Sequence, residues 1–238
     1  MELSEFKSFF EEKIRNKEYI VSSENVELFY NYMKLLIEWN KKINLTAIVE
    51  EKEIIEKHFL DSLTILNFIK DNDKVIDVGT GAGFPGIPIA IASNATITLL
   101  DSLNKRINFL EEVKKELNLL NITNIHGRSE EIAQKEEYRE NYDVAVSRAV
   151  APMNVLVEYL LPFVKVGGKC ICMKGPNVKE ELDNSRNAIE KLGGKISDII
   201  NIKLDEENME RNLVIIEKIK KTAYKYPRKP GIPKKEPL

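Results

Sequence analysis

Two cysteines and two histidines are all that 238 residues offer for disulfide or metal chemistry. Cys170 and Cys172 stand two apart in "KCICMK", so on a strand they share a face and cannot easily bridge each other. His58 and His126 do not complete a zinc or redox set around that C-x-C pair. The expectation is reduced, buried thiols in a cytoplasmic protein without a metal. Long apolar runs are missing too, since no stretch approaches the roughly 20 residues a membrane helix needs. The start "MELSEFKSFFEEKIRNKEY" is too acidic and broken for a secretory signal, so the N-x-T sequons at Asn44, Asn94 and Asn121 carry no glycosylation reading. Net charge is nearly absent, with 36 basic residues against 38 acidic ones.

That balance hides an asymmetry. From Lys218 onward eight Lys/Arg face one acid, Glu236, while the preceding 217 residues carry 28 basic and 37 acidic groups. An acidic body with the basic, Pro-rich end "KKTAYKYPRKPGIPKKEPL" is the pattern of a tail that meets a polyanion. Tyr224 and Tyr226 interleave with the cations and add stacking surface for bases. On this reading the tail from Lys220 to Leu238 binds RNA and leaves any cofactor pocket alone. Two other readings stand beside it: a solvated, disordered terminus, and a strap packed on the body.

The first seventy residues have helical rhythm. Val26, Phe29, Tyr30, Met33, Leu36, Ile37 and Asn40 trace one stripe, with Ser23 and Asn25 as candidate caps, and Phe29, Met33 and Ile37 are assigned to core. "EKEIIEKHFLDSLTILNFI" continues the pattern as far as the turn signal Asp71-Asn72-Asp73. From there short apolar runs ("KVIDVG", "ATITLLD", "ITNIHG", "YDVAVS", "GGKCICMK") alternate with helical windows at 84–93, 103–118, 129–138, 152–163 and 177–191. This predicts a doubly wound, mostly parallel α/β sheet with helices on both faces. "KISDIINIKL" and "RNLVIIEKI" have only "DEENME" between them, which predicts a closing antiparallel hairpin and seven strands in all. The organisation expected is a helical extension (1–70), an α/β domain (71–219) and a basic tail (220–238).

Four of the eleven glycines crowd into "GTGAGFPG", residues 79–86, directly after an apolar run. Gly81 to Gly86 matches G-x-G-x-x-G, which seats a dinucleotide pyrophosphate. Two residues earlier, Asp77 to Gly83 reads as acid-x-G-x-G-x-G, the register of S-adenosylmethionine-dependent methyltransferases. Gly79, Gly81 and Gly83 would let backbone N–H groups approach a ligand closely. Asp101, which closes "TITLLD", can accept hydrogen bonds from both ribose hydroxyls of either nucleoside, or cap the helix that follows. Asp77 favours the methyl donor, because a carboxylate suits a sulfonium and an ammonium better than a pyrophosphate. Past the third run Ser129 and Glu130 offer an edge for adenine; past the fourth, Arg148 faces the same crevice, as ligand for a carboxylate or RNA or as a structural ion pair.

"HFLDSL", "DVGTGAGFPGIPIAI", "LLDSLNKRINFLEEV", "SRAVAP" and "YPRKPGIPKKEPL" together resemble the bacterial small-subunit ribosomal RNA methyltransferase G family, also called glucose-inhibited division protein B. The resemblance spans essentially the whole chain. It implies a Rossmann-like class I fold, S-adenosyl-L-methionine as cofactor, 16S ribosomal RNA in the 30S subunit as partner, and methyl transfer to N7 of guanine-527. It also implies cofactor contacts at Gly79, Phe84, Ser129, Glu130 and Arg148, with Asp101 in the ribose role. Many family members carry Ala at the position of Ser129, a change that a backbone contact would tolerate. The chain is taken as a monomer.

The N/D-P-P-Y motif of exocyclic-amine methyltransferases is absent; Ser147-Arg148-Ala149-Val150 stands in that place. Guanine N7 owns an in-plane lone pair and loses no proton on methylation, so positioning and electrostatics suffice and no catalytic base is assigned. A cytosine C5 enzyme would need a nucleophilic Cys in a Pro-Cys loop, and neither cysteine is so placed. His58 and Lys174 could line the guanine or phosphate side of the crevice, or pack. Three alternatives stay open on residues alone: a methyltransferase of small molecules, an NAD-dependent oxidoreductase, and an assembly factor that keeps a cofactor pocket.

Overall fold

The computed structural model describes all residues except 18, 149, 177 and 205–209. Its strands are β1 (Lys74–Val78), β2 (Thr96–Asp101), β3 (Ile122–His126), β4 (Tyr142–Arg148), β5 (Val164–Lys174), β6 (Gly194–Lys203) and β7 (Glu210–Lys218). They form one sheet of order β3-β2-β1-β4-β5-β7-β6. Neighbours among β1 to β5 pair parallel, and β7 enters antiparallel between β5 and β6. The predicted closing hairpin is therefore present, although residues 205–209 of its link lie outside the described residues.

Helices α1 (Leu3–Ile14), α2 (Ser23–Ile43), α3 (Glu51–Ile54) and α4 (Asp61–Leu63) precede the sheet, with a π-helical turn at Ile55–Leu60. Then α5 (Gly86–Ala92), α6 (Asn104–Glu116), α7 (Ser129–Ile132), α8 (Met153–Leu160) and α9 (Lys179–Lys191) follow β1 to β5 in turn, and α10 (Ile232–Lys235) lies in the tail. The period-2 pleat sorts each strand between two cores. Val75, Val144, Ile171 and Ile215 face α1, α2, α5 and α6, whereas Ile76, Ala145, Cys170, Cys172 and Ile216 face α8 and α9. The two thiols are buried, and burial pushes Cys172 up to about 12, which suits inert packing.

Details depart from the sequence reading. The cap of α2 is Ser22, whose Oγ accepts from the Asn25 N–H at 3.2 Å. Tyr30 and Ile37 are only partly buried, while Tyr32, outside the predicted stripe, is fully buried and donates its hydroxyl to the Ala82 carbonyl. α7 stops after four residues: beyond Ala133 the segment is almost wholly exposed, and Arg139 Nη1 takes the Ala133 carbonyl at 3.2 Å. The tail is packed on the body. Tyr226 and Pro233 are buried, and Arg228 pairs bidentately with the fully buried Glu158, with Nε and Nη2 at 3.0 and 2.7 Å.

Candidate functional site

Parallel register brings the carboxyl ends of β1, β2 and β4 to one edge of the sheet, where ligands of open α/β sheets lie. The turn from β1 into α5 is pinned from both sides: Gly79 and Thr80 donate their N–H groups to the Leu100 carbonyl, and Tyr32 holds Ala82. Gly81 is left-handed (φ 63°) with open space where a Cβ would stand, so its backbone is free to approach a ligand. Gly83 is left-handed for a different reason. A Cβ there would lie 2.4 Å from Ile87 Cγ1 and 2.9 Å from the Tyr32 hydroxyl, so the residue makes room for both α5 and α2 against the loop.

Asp77 does not face the cleft, which corrects the expectation that it meets the cofactor's positive charge. It is fully buried, and its Oδ2 accepts from Thr80 Oγ1 (2.6 Å) and the Gly86 N–H (2.8 Å), bracing the loop from beneath. Burial pushes its pKa up to about 7, against the opposing pull of those hydrogen bonds and of Arg148. Asp101 does line the cleft. Its Oδ1 accepts from the Leu103 N–H (2.9 Å), and Oδ2 from the Gly81 N–H (2.9 Å) and Arg106 Nη1 (3.1 Å). A carboxylate has about four acceptor sites, so Asp101 keeps room for one further donor rather than two.

Arg148, at the end of β4, is the hub of the other wall. Nη1 donates to the Asp61 carboxylate (3.0 Å) and the Lys57 carbonyl (3.1 Å), and Nη2 lies 3.0 Å from His58 Nδ1. The "HFLDSL" motif thus supplies both partners, and the π turn that holds His58 is a distortion common at functional sites. His58 stacks on Phe84 with ring centroids 4.4 Å apart, and the Arg148 guanidinium lies 5.0 Å from the same ring. Desolvation and Arg148 hold the His58 pKa down to about 3. Arg211 reaches the second oxygen of Asp61 at 3.4 Å, so this carboxylate is buried between two arginines.

The cleft has two lobes that meet at Gly79, Asp101, Ser102 and Val150. The larger, about 410 Å³, is lined by Thr46, His58, Gly81, Phe84, Arg106 and Arg148 among others. The smaller, about 160 Å³, reaches Ser129, Glu130 and Tyr159. Ser129 Oγ donates to the Tyr159 carbonyl at 2.7 Å, so its proton is committed and the residue meets a ligand only as an acceptor or through its backbone. Glu130 Oε1 accepts from the Gly231 N–H of the tail at 3.0 Å. The tail therefore does not leave the pocket alone; it touches one of the expected cofactor residues.

Of nine expected site residues, Gly79, Gly81, Phe84, Asp101, Ser129, Glu130 and Arg148 line the cleft, while Asp77 and Gly83 support it. Lys174 serves the loop after β4, pairing with Glu181 at 2.6 Å and donating to the Ala151 carbonyl at 2.8 Å. The sequence reading gave no role to Thr46, Asp61, Arg106 or Val150. Asp61, Arg106 and Val150 lay inside quoted motifs; Thr46 gave no signal of its own. Among the described residues no group of three or more His, Cys, Asp or Glu could hold a metal, and no helix is long and apolar enough to cross a membrane.

Residues 25–221 match the family model described as rRNA small subunit methyltransferase G. A curated relative of that same name, ribosomal RNA small subunit methyltransferase G, from Clostridium tetani is 58% identical over 88% of this chain and 89% of its own length. The protein of that name from Alkaliphilus oremlandii is 50% identical over 98% and 99%. Among solved structures, M. jannaschii TYW2 in complex with AdoMet aligns with a TM-score of 0.53 at 19% identity, covering 68% of this chain and 76% of that one. A SAM-dependent methyltransferase from Aquifex aeolicus gives 0.53 at 16%, covering 70% and 93%. At such identities the likeness is one of fold.

Proposed function

The chain belongs to the rRNA small subunit methyltransferase G family and is an S-adenosylmethionine-dependent methyltransferase, and on that premise we propose that it methylates N7 of guanine-527 in 16S ribosomal RNA. One observation carries the choice of atom. The side chain best suited by type to act as a general base, His58, is locked between Arg148 and Thr46, and its pKa is held to about 3. Asp77, with a pKa near neutrality, faces the inside of the loop. With Asp101 assigned to the cofactor, the wall of His58, Phe84 and Arg148 offers no proton acceptor, which suits a nucleophile that already owns a lone pair and sheds no proton.

The residues present fit the cofactor. Gly81 offers bare backbone, Asp101 one free acceptor site, and a second lobe opens beside Ser129 and Glu130. S-adenosylmethionine supplies a methyl group on a sulfonium, an electrophile that needs no further activation. Gly79, Gly81 and Asp101 would hold its ribose and amino-acid portion, and Ser129 and Glu130 its adenine. Phe84, His58 and Arg148 form the stiff wall against which a base is oriented, so the chain contributes positioning and exclusion of water. Both lobes are complete within one chain, which supports action as a monomer. A ribosomal substrate implies work in the cytoplasm. The organisation we propose is a helical layer (1–70) that walls the target lobe, an α/β domain (71–219), and a tail (220–238) that braces the adenine lobe.

The test is incubation of purified protein with 30S subunits and labelled S-adenosylmethionine, followed by mapping of the modified nucleotide. Label in 7-methylguanosine at position 527 is expected. Label on an exocyclic amine or a C5 carbon would overturn the reading.

A further inference from the structure

Thr46 stands in the wall of the larger lobe with both lone pairs of its hydroxyl already used. A guanidinium has only donors, so Arg148 Nη2 must donate to His58 Nδ1 across 3.0 Å. Neutral His58 then carries its proton on Nε2 and donates it to Thr46 Oγ1 at 2.8 Å. The Ile48 N–H donates to the same oxygen at 3.1 Å. Two donors fill the two lone pairs, and the hydroxyl proton is left for the one remaining tetrahedral direction. No described residue accepts it, and the lobe is the open side.

The backbone of Thr46 is clamped as well. Asn40 Oδ1 accepts from the N–H groups of Leu45 (2.6 Å) and Thr46 (2.9 Å), and Asn40 Nδ2 donates to the Thr46 carbonyl (2.9 Å). A hydroxyl held this way is a pre-set donor that cannot turn into an acceptor. Guanine presents two acceptors, N7 and O6, on one edge; adenine presents N7 beside an N6 amino donor. An enzyme that needs the N7 lone pair free must grip that edge by its neighbour.

Resting on the functional reading above, we propose that the Thr46 hydroxyl donates to O6 of the target guanine, and so both orients N7 and rejects adenine. An adenine would set its amino group against an oxygen with no lone pair left, at a cost of about 10- to 100-fold in rate. Single-turnover methylation of 30S subunits reconstituted with guanine or 2-aminopurine at position 527 tests this, because 2-aminopurine keeps N7 and lacks O6. The unsubstituted enzyme should favour guanine, Thr46→Val should slow guanine about 10- to 100-fold while changing 2-aminopurine less than about twofold, and Thr46→Ser should retain the guanine rate. S-adenosylmethionine affinity should be unchanged in both variants. Equal losses on the two bases would assign Thr46 to support of His58 alone and overturn the inference, as would no loss on either. Equal rates for the two bases in the unsubstituted enzyme, which needs no variant to fold, would overturn it too. No transfer to either substrate would overturn the functional reading and this inference with it.

Discussion

Both ends of the chain wrap the same sheet, by opposite means. The N-terminal helices are attached by buried rings: Phe10 lies 5.1 Å from Phe29, Phe29 5.1 Å from Phe59, and Tyr32 5.4 Å from Phe59, all fully buried. Each such ring contributes on the order of 1.5–3 kcal/mol, so this layer is continuous with the core of the sheet. The C-terminal tail buries only Thr222, Tyr226, Pro227 and Pro233 among its described residues and is held mainly by polar staples. Arg228 grips Glu158, Gly231 grips Glu130, and Arg139 donates to the carbonyls of Thr222, Ala223 and Tyr226. Lys218, fully buried just before it, donates to the Leu161 carbonyl and Thr222 Oγ1, both at 2.6 Å. The apolar end walls the larger lobe of the cleft; the polar end braces the smaller one. Hydrophobic attachment cannot be graded without loss of fold, whereas single staples can be removed one at a time.

The sharpest way to test that contrast is to break one ion pair at each end. Asp61→Ala leaves Arg148 and Arg211 facing a buried void, and a buried pair broken on one side costs about 3–5 kcal/mol. At roughly 2–4 °C per kcal/mol for a chain of this size, the melting temperature should fall by about 6–20 °C in calorimetry. Glu158→Ala should cost less, about 1–2 kcal/mol, because it strands one arginine, about as exposed as Arg211, where Asp61→Ala strands two. Equal costs would remove the distinction between the two attachments.

Removal of residues 220–238 comes next. It takes the Gly231 N–H from Glu130, so S-adenosylmethionine affinity should weaken by about tenfold, roughly 1.4 kcal/mol, together with a lower melting temperature. A truncated chain with full cofactor affinity would return the tail to the role of a bystander. Its exposed lysines fall into two groups. Lys229, Lys234 and Lys235 flank the segment seated on Glu130, whereas Lys220, Lys221 and Lys225 come earlier, around the stretch 221–224 that shares a cavity with Lys165 and Val166 of β5. Serine at the first three should lower the salt slope of ribosomal RNA binding by about 2–3, with cofactor affinity unchanged; serine at the second three should leave it. Equal effects would mean that RNA follows the whole strap.

What sequence rules could see was local. The parallel sheet and its closing hairpin followed from alternation, the cleft from the glycine register, and the smaller lobe's residues Ser129 and Glu130 from position after β3. What they missed joins distant segments. Asp61 and Arg148 are 87 residues apart, Gly231 and Glu130 are 101 apart, and no periodicity links them. The tail's charge was countable, but its partner Glu158 was one acid among 38, and Glu130 was read only as a cofactor contact. Asp77 was misdirected because a motif gives the residue and not the side of the loop it faces.

Asp77 carries the smallest effect, and it belongs to neither end: it braces the loop that Tyr32 clamps from above. Its folded pKa of about 7 exceeds the unfolded value near 3.8, so between those values the folded state binds more protons than the unfolded one. The favourable contribution is then complete below pH 3.8 and is lost as pH rises through 7. Between pH 6 and 8 stability should fall, by on the order of 1 kcal/mol from this group alone. Asp77→Asn keeps an oxygen for Thr80 and Gly86 and removes the titration, so urea denaturation of the variant should lack that decline while that of the unsubstituted protein shows it. The window is the point of the measurement. A carboxylate held ionised by a neighbouring cation titrates below 3.8 and leaves stability flat between pH 6 and 8, whereas one sealed beneath the loop loses stability there. Parallel pH profiles of Asp77→Asn and the unsubstituted protein between pH 6 and 8 would return Asp77 to the cleft.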